Sequence, residues 1–408
     1  MGDYRVWLFT AAPILFLLLQ LFSGVVEAKV PAIIVFGDSS VDAGNNNQIP
    51  TVARSNFGPY GRDFEGGRAT GRFSNGRIPT DFISESFGLR PTVPAYLDPS
   101  YNISDFAVGV SFASAGSGYD NATSDVLRVI PLWKELEYYK EYQKKLRDYL
   151  GDEKGDEIIQ EALYVTSMGT NDFLENYYAI PGGRQSQFTI DEYQDFLAGL
   201  ARKFVTDLYG LGARKISLGG VPPMGCMPLE RTTNFADGQR CIKSYNDIAF
   251  SFNGKLKSLT VELNNQLPGL QLVNSNPYGI FMQIIRKPSL YERALGHGAL
   301  ELGCYMVTSH PNLRIQWPST LSKTCQVQIN HFQANHPGFE AAGVACCATG
   351  MFEMGYACDQ YNPLTCKDAN KFVFWDAFHP TEKTNQIIVD HLMKTSLHKF
   401  SLGIMSQG

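Results

Sequence analysis

A serine, a histidine and a carboxylate, each just past an apolar run, carry the chemistry that this sequence offers. Ser39 stands in PAIIVFGDSSVDAGNNN, Pro31 to Asn47, where an apolar run from Ala32 to Phe36 stops at Gly37. The run has the make-up of a fully buried parallel strand, and the small polar residues after it favour a turn. Beyond the carboxyl end of such a strand lies the usual place for a reacting group in an open α/β sheet. Ser39 is therefore the candidate nucleophile. A serine hydroxyl needs a base within hydrogen-bond reach and a group that orients the base. Asp376 and His379 supply both, and their spacing of three lets the carboxylate reach back to a ring nitrogen. Attack on an ester carbonyl creates an oxyanion, and each fixed N–H donor facing it is worth about 2.7 to 4 kcal/mol. The candidate donors are the backbone N–H groups of Ser39 and Gly116 and the side-chain amide of Asn171. Singly, these residues have ordinary readings as turn, loop and packing residues. Jointly, they would have to fall at strand ends by coincidence.

The elements that must position them alternate along the chain. Strands are expected at Ala32–Phe36, Phe106–Ala113, Ala162–Ser167, Lys215–Leu218 and Leu270–Val273, with helices at Pro79–Phe87, Leu132–Leu150, Ile190–Gly212 and Tyr245–Leu267. The Leu132–Leu150 helix is read from Leu132, Leu136, Tyr139, Tyr142, Leu146 and Tyr149, which recur every three or four residues and form an apolar stripe. Alternating strands and helices with long crossovers imply a mostly parallel sheet covered on both faces, an α/β fold. A shorter strand, Lys371–Trp375, leads into Asp376 and His379, with Pro380 as the expected first residue of a final helix reaching about Lys399. A Gly- and Arg-rich loop, Gly58 to Gly76, is either functional or a plain connection.

The 408 residues are 44% hydrophobic and 18% charged, a globular composition that excludes an extensively disordered chain. A net charge of -5 without a basic block gives no electrostatic footprint for nucleic acid, so a small-molecule or polymer substrate is expected. Arg5, the apolar run Val6–Phe22 and the small-residue ending at Ala28 read as a secretory signal peptide over residues 1–28. The competing reading is a membrane anchor, although Thr10, Pro13, Gln20, Ser23 and Gly24 break the run. Secretion makes the eight cysteines, Cys226, Cys241, Cys304, Cys325, Cys346, Cys347, Cys358 and Cys366, disulfide candidates with open pairing rather than metal ligands. Asn102 and Asn121 fit the N-glycosylation pattern.

The motifs FGDSSVDAGNN from Phe36, GVSFASAGSG from Gly109, GTNDF from Gly169 and FWDAFHPTE from Phe374 resemble the four blocks of plant GDSL esterase/lipases, within the SGNH hydrolase superfamily. GGVPPMGCMP from Gly219 and ACCATG from Ala345 extend the resemblance over nearly all of the chain after Ala28. It implies a flavodoxin-like three-layer α/β/α fold with a mostly parallel sheet, and a Ser–His–Asp triad with no metal and no cofactor. It assigns Ser39 as nucleophile, Gly116 and Asn171 as oxyanion-hole residues, and Asp376 and His379 as the remainder of the triad. The leucine of the family's name is Ser40 here.

A larger departure is the 46-residue segment Glu292–Pro337, where family members run on almost directly. It is a surface insertion, a disulfide-bonded flap or sequence that another transcript would omit. The chain after Ala28 is expected to form one hydrolase domain, 29–408, interrupted at 292–337. The expected function is a secreted serine esterase/lipase acting through an acyl-enzyme, in the plant apoplast or cell wall. Its substrate would be a small-molecule ester or lipid or a cell-wall polymer, with no nucleic-acid partner and no stable membrane insertion. Two alternatives share the cleft: an acyltransferase using the same triad, and a catalytically silent binding glycoprotein.

Overall fold

A computed structural model describes residues 30–235, 240–291 and 338–401. The signal-peptide reading and the segment 292–337, with Cys304 and Cys325, lie outside the described residues. Five parallel strands form the main sheet in the order β2-β1-β3-β4-β5: β1 Ile33–Gly37, β2 Gly109–Ser111, β3 Leu163–Ser167, β4 Lys215–Gly219 and β5 Gln271–Ser275. This is the flavodoxin-like order, whose reversal falls between β1 and β3. The loops that follow these two strands therefore diverge at the carboxyl edge of the sheet, the usual ligand position in such folds.

Burial explains the strand sequences. Every residue of β1 and β4 is buried, so both read as continuous rather than alternating patterns. The Leu132–Leu150 helix spans the expected residues and buries Leu132, Leu136, Tyr139, Tyr142 and Leu146. Phe36 of β1 packs edge-on against Tyr139 of that helix and Phe204 of the Ile190–Gly210 helix. The latter begins in a capping box, in which Thr189 donates through its backbone N–H to Glu192 and accepts from the Glu192 N–H. Among the described residues no helix is long and apolar enough to cross a membrane.

The structure corrects four expectations. The strand expected at Phe106–Ala113 is only Gly109–Ser111, because Phe106 ends a short helix, Ile103–Phe106, that Asn102 and Asp105 cap. Tyr149 is exposed rather than part of the apolar stripe, since the helix end runs past the core. The strand expected at Lys371–Trp375 is shorter, β7 Phe372–Phe374, and it pairs in parallel with β6, Ala341–Ala345, in a second sheet. The final helix is Glu382–Thr395 with Thr381 as N-cap, not a helix from Pro380. Pro380 bridges back to Phe374 and Thr381 donates to the Val373 carbonyl at 3.0 Å, so the chain stays tied to β7 until the cap. A helix unread in the sequence, Asp152–Glu161, follows Gly151.

At the junction around residues 292–337, the two flanks meet: the Phe339 N–H donates to the Pro288 carbonyl at 3.1 Å. The Gly- and Arg-rich loop is fastened by Arg72, which is buried and forms a two-pronged bridge to buried Asp81 at 2.8 and 2.9 Å. Arg72 also donates to the carbonyls of Ala43 and Val93, which ties the loop after Ser39 to the Pro79–Ser86 helix. Removing one member of such a pair leaves a buried charge unmatched. Arg72→Ala should lower the unfolding free energy by about 3 to 5 kcal/mol in urea titrations, and a loss below about 1 kcal/mol, the range of an exposed pair, would contradict the account.

Candidate active site

Gly37 ends β1 in a backbone conformation, φ 143°, that an L side chain rarely adopts, and a Cβ there would fall 2.1 Å from the Ser167 carbonyl oxygen. Only glycine lets the ends of β1 and β3 lie this close. The next residue, Asp38, donates its N–H to that same carbonyl at 3.0 Å and accepts from Val41 and Asp42, which closes a turn around Ser39. Ser40 sits where the family pattern has leucine. It donates to the Asp38 carboxylate through its N–H at 3.0 Å and its hydroxyl at 2.7 Å, and its hydroxyl also meets that of Ser167 at 2.8 Å. Burial pushes the Asp38 carboxyl above its ordinary range, and these Ser40 bonds oppose the shift.

From beneath, Glu135 of the Leu132–Leu150 helix accepts the Gly37 N–H at 3.0 Å. Burial pushes its carboxyl well above the usual carboxylate range. A helix residue thus holds the strand end that leads into Ser39.

The Ser39 hydroxyl lies 2.8 Å from Nε2 of His379, and Nδ1 of the same ring lies 2.9 Å from both carboxylate oxygens of Asp376. All three residues are buried. With the Asp376 carboxylate against Nδ1, the ring keeps its proton there and presents Nε2 to the serine as an acceptor. Asp376 also accepts the backbone N–H groups of Phe378 at 2.9 Å and His379 at 2.6 Å, so the turn between β7 and the final helix folds around its own carboxylate. Its second oxygen receives the Tyr60 hydroxyl at 2.6 Å. Burial, and then the Asp376 charge, push the Tyr60 phenol well above its ordinary value, which keeps it a donor. The Phe73 ring packs against the His379 imidazole, 4.8 Å away between centroids.

The remaining sequence candidates lie at the same edge. The Gly37 carbonyl accepts the Ser114 N–H and the Ser117 hydroxyl, both at 2.8 Å, and the Ser117 carbonyl accepts from Nδ2 of Asn171 at 3.0 Å. That bond uses one Asn171 amide proton and leaves the second. Among the described residues, neither the Ser39 N–H nor the Gly116 N–H has an internal acceptor, although both residues are buried. Buried donors without acceptors are the requirement for stabilising an oxyanion.

Asp172 fixes the spacing between the Gly116 loop and Asn171 by accepting the Tyr119 and Asp120 N–H groups at 2.9 and 3.0 Å and the Thr123 hydroxyl at 2.6 Å. Burial pushes its carboxyl up to about 7. Gly118 is required by this approach, since a Cβ there would lie 2.3 Å from the carboxylate.

All five residues singled out for chemistry, Ser39, Gly116, Asn171, Asp376 and His379, gather at one end of the sheet. Tyr60, Asp172 and Glu135 were not singled out, although each fell in a segment read for another reason: the Gly- and Arg-rich loop, the GTNDF motif and the Leu132–Leu150 helix. Asn102 and Asn121 are both exposed, whereas Thr123 of the second acceptor motif is buried against Asp172. Disulfides join Cys226 to Cys241, Cys346 to Cys366 and Cys347 to Cys358. Among the described residues no group of three His, Cys, Asp or Glu side chains is placed to hold a metal.

Residues 33–392 match the family model described as GDSL-like lipase/acylhydrolase. A GDSL esterase/lipase of Arabidopsis thaliana is 57% identical over 387 residues, 95% of this chain and 97% of the relative. Two more from the same plant are 56% identical over 93% of this chain and 95% of the relative, and 54% identical over 91% and 93%.

The Tyr60 hydroxyl bond reaches a charged, buried acceptor, a class of bond worth about 1.5 to 3 kcal/mol. Tyr60→Phe should lower kcat by about tenfold or more with little change in KM and an unchanged circular dichroism spectrum. A variant with parental kcat would show that Asp376 does not depend on Tyr60.

Proposed function

The chain is a carboxylic ester hydrolase belonging to the GDSL-like lipase/acylhydrolase family, and from that premise we propose that it is a secreted serine esterase/lipase working through an acyl-enzyme on Ser39. The observation that carries this reading is the unbroken relay from the Ser39 hydroxyl at 2.8 Å to His379 Nε2 and from Nδ1 at 2.9 Å to Asp376. In the proposed sequence His379 takes the hydroxyl proton while Ser39 Oγ bonds to the acyl carbon. The carbonyl oxygen, now negative, faces the free N–H groups of Ser39 and Gly116 and the second amide proton of Asn171. Collapse of the tetrahedral species breaks the bond to the alcohol oxygen, which receives the proton from His379. Water then repeats the sequence on the acyl-enzyme, with His379 again as base, and releases the acid.

Secretion is supported by the leader-like residues 1–28 and by the three disulfides among the described residues, a kind of bond that persists in oxidising compartments. The exposed Asn102 and Asn121 side chains are the proposed glycan acceptors. The proposed domain runs from residue 29 to 408, with 292–337 inserted where its flanks meet.

Hydrolysis of a short-chain aryl ester by the secreted protein, with chelator present, tests the reading. The parent should turn over, and Ser39→Ala should lose at least about a thousandfold in kcat. Turnover that survives the substitution, or that chelation abolishes, would overturn it.

A further inference from the structure

Among the described residues thirteen large apolar side chains stand exposed, and five of them, Met351, Phe352, Tyr356, Tyr361 and Leu364, fall within one short segment. Scattered exposed hydrophobics are ordinary, but a cluster beside a reaction centre is not. The segment is rigidly held, because Cys347–Cys358 and Cys346–Cys366 clamp it at its start, middle and end.

Its underside is bonded to the triad turn. Ala377, next to Asp376, donates its N–H to the Glu353 carbonyl at 2.9 Å, and Gly355 donates to the same Tyr60 hydroxyl that serves Asp376. The Glu353 carboxylate accepts the N–H groups of Met351 and Phe352, both at 3.2 Å, which folds a tight turn with these two side chains outward. Tyr356 stacks on Phe57 at 4.9 Å, so the apolar surface continues onto the loop after Ser39. From Met351 to Leu364 there is no Lys or Arg; the charges are Glu353 and Asp359, and Asp359 accepts the Tyr361 N–H at 2.7 Å. The cation beside the segment, Arg62, is turned to the Cys366 carbonyl and the Trp375 ring, so the segment's own apolar and slightly acidic surface favours an uncharged surface over an anionic one.

We propose that the disulfide-clamped segment 351–364 docks on the surface of an aggregated neutral lipid ester, delivering interfacial substrate to the neighbouring Ser39 site. This rests on the ester-hydrolase reading above and adds its substrate class: esters presented as an apolar phase. The cross-links preform the backbone of the patch, which lowers the ordering cost of docking.

Tributyrin offers the same ester bond dissolved or emulsified, on either side of its solubility limit. The parent should show a step increase in rate on crossing that limit. The double variant Phe352→Ser/Leu364→Ser should lose at least about tenfold of the emulsion rate, the factor one buried aromatic side chain supplies, and keep its rate on dissolved ester within about twofold. Equal rates for parent and variant on the emulsion would overturn the proposal.

Flotation of the Ser39→Ala protein with a triolein emulsion tests docking without turnover. Ser39→Ala should float and the same protein carrying the double substitution should not; failure of Ser39→Ala to float overturns the proposal even where dissolved ester is hydrolysed. A parent that floats but hydrolyses neither form of tributyrin would instead contradict the ester-hydrolase reading while supporting the docking surface. Sedimentation showing a dimer that the double substitution dissociates would assign the patch to a second copy of this chain and likewise overturn the proposal.

Discussion

Asp376 has no exposed surface, and four donors converge on its two oxygens: the N–H groups of Phe378 and His379, Nδ1 of His379 and the Tyr60 hydroxyl. A carboxylate taken out of water is tolerated only when its acceptor sites are filled. Filling them here folds the turn after β7, orients the imidazole and draws the Gly- and Arg-rich loop against the segment that Gly355 belongs to. The Ser39–His379–Asp376 geometry is therefore a by-product of satisfying one buried charge. Tyr60 joins both ends of the arrangement, since its hydroxyl donates a hydrogen bond to Asp376 and its oxygen accepts one from the Gly355 N–H.

The same device recurs along the carboxyl edge of the sheet. Glu135 receives the end of β1, Asp172 gathers the Gly116 loop, and Asp42 accepts the N–H groups of Gly44, Asn45 and Ala115. Burial raises all three carboxyls, Asp42 up to about 6 and Asp172 up to about 7. A carboxyl raised by burial stabilises the fold fully below its ordinary range and loses that contribution as pH rises through the folded value. For Asp172 the decline spans the interval from about 4, the unperturbed value, to about 7. The loops that hold the site are thus fastened by groups that cost stability near neutral pH, an expense accepted where backbone must be held in place.

What could be read from sequence follows from how local the determining interactions are. The Leu132–Leu150 helix was legible to the residue because its burial pattern is its own periodicity. Ser39, Asn171, Asp376 and His379 were legible because their residue types are rare together at strand ends, and Gly116 because the motif around it resembles a known family. Tyr60 was not, since its partner lies 316 residues away, and Glu135 serves a strand end 98 residues off. In isolation Tyr60 looks like an ordinary loop aromatic and Glu135 like a solvated helix charge. Strand β6, Ala-Ala-Gly-Val-Ala, has no strand-forming composition and exists because β7 pairs with it. Disulfide partners were equally silent, because pairing depends on where the folded chain brings each cysteine.

The central claim is that the Ser39 hydroxyl is the activated nucleophile of this fold. Mass spectrometry of the protein after reaction with an alkyl fluorophosphonate addresses it directly, since such a reagent bonds covalently to a serine oxygen that a base has activated. The account predicts one adduct, on the peptide containing Ser39, formed rapidly in the parent and lost in His379→Ala. An adduct on another serine accompanied by loss of esterase activity would contradict it, as would full activity in protein whose Ser39 carries the label.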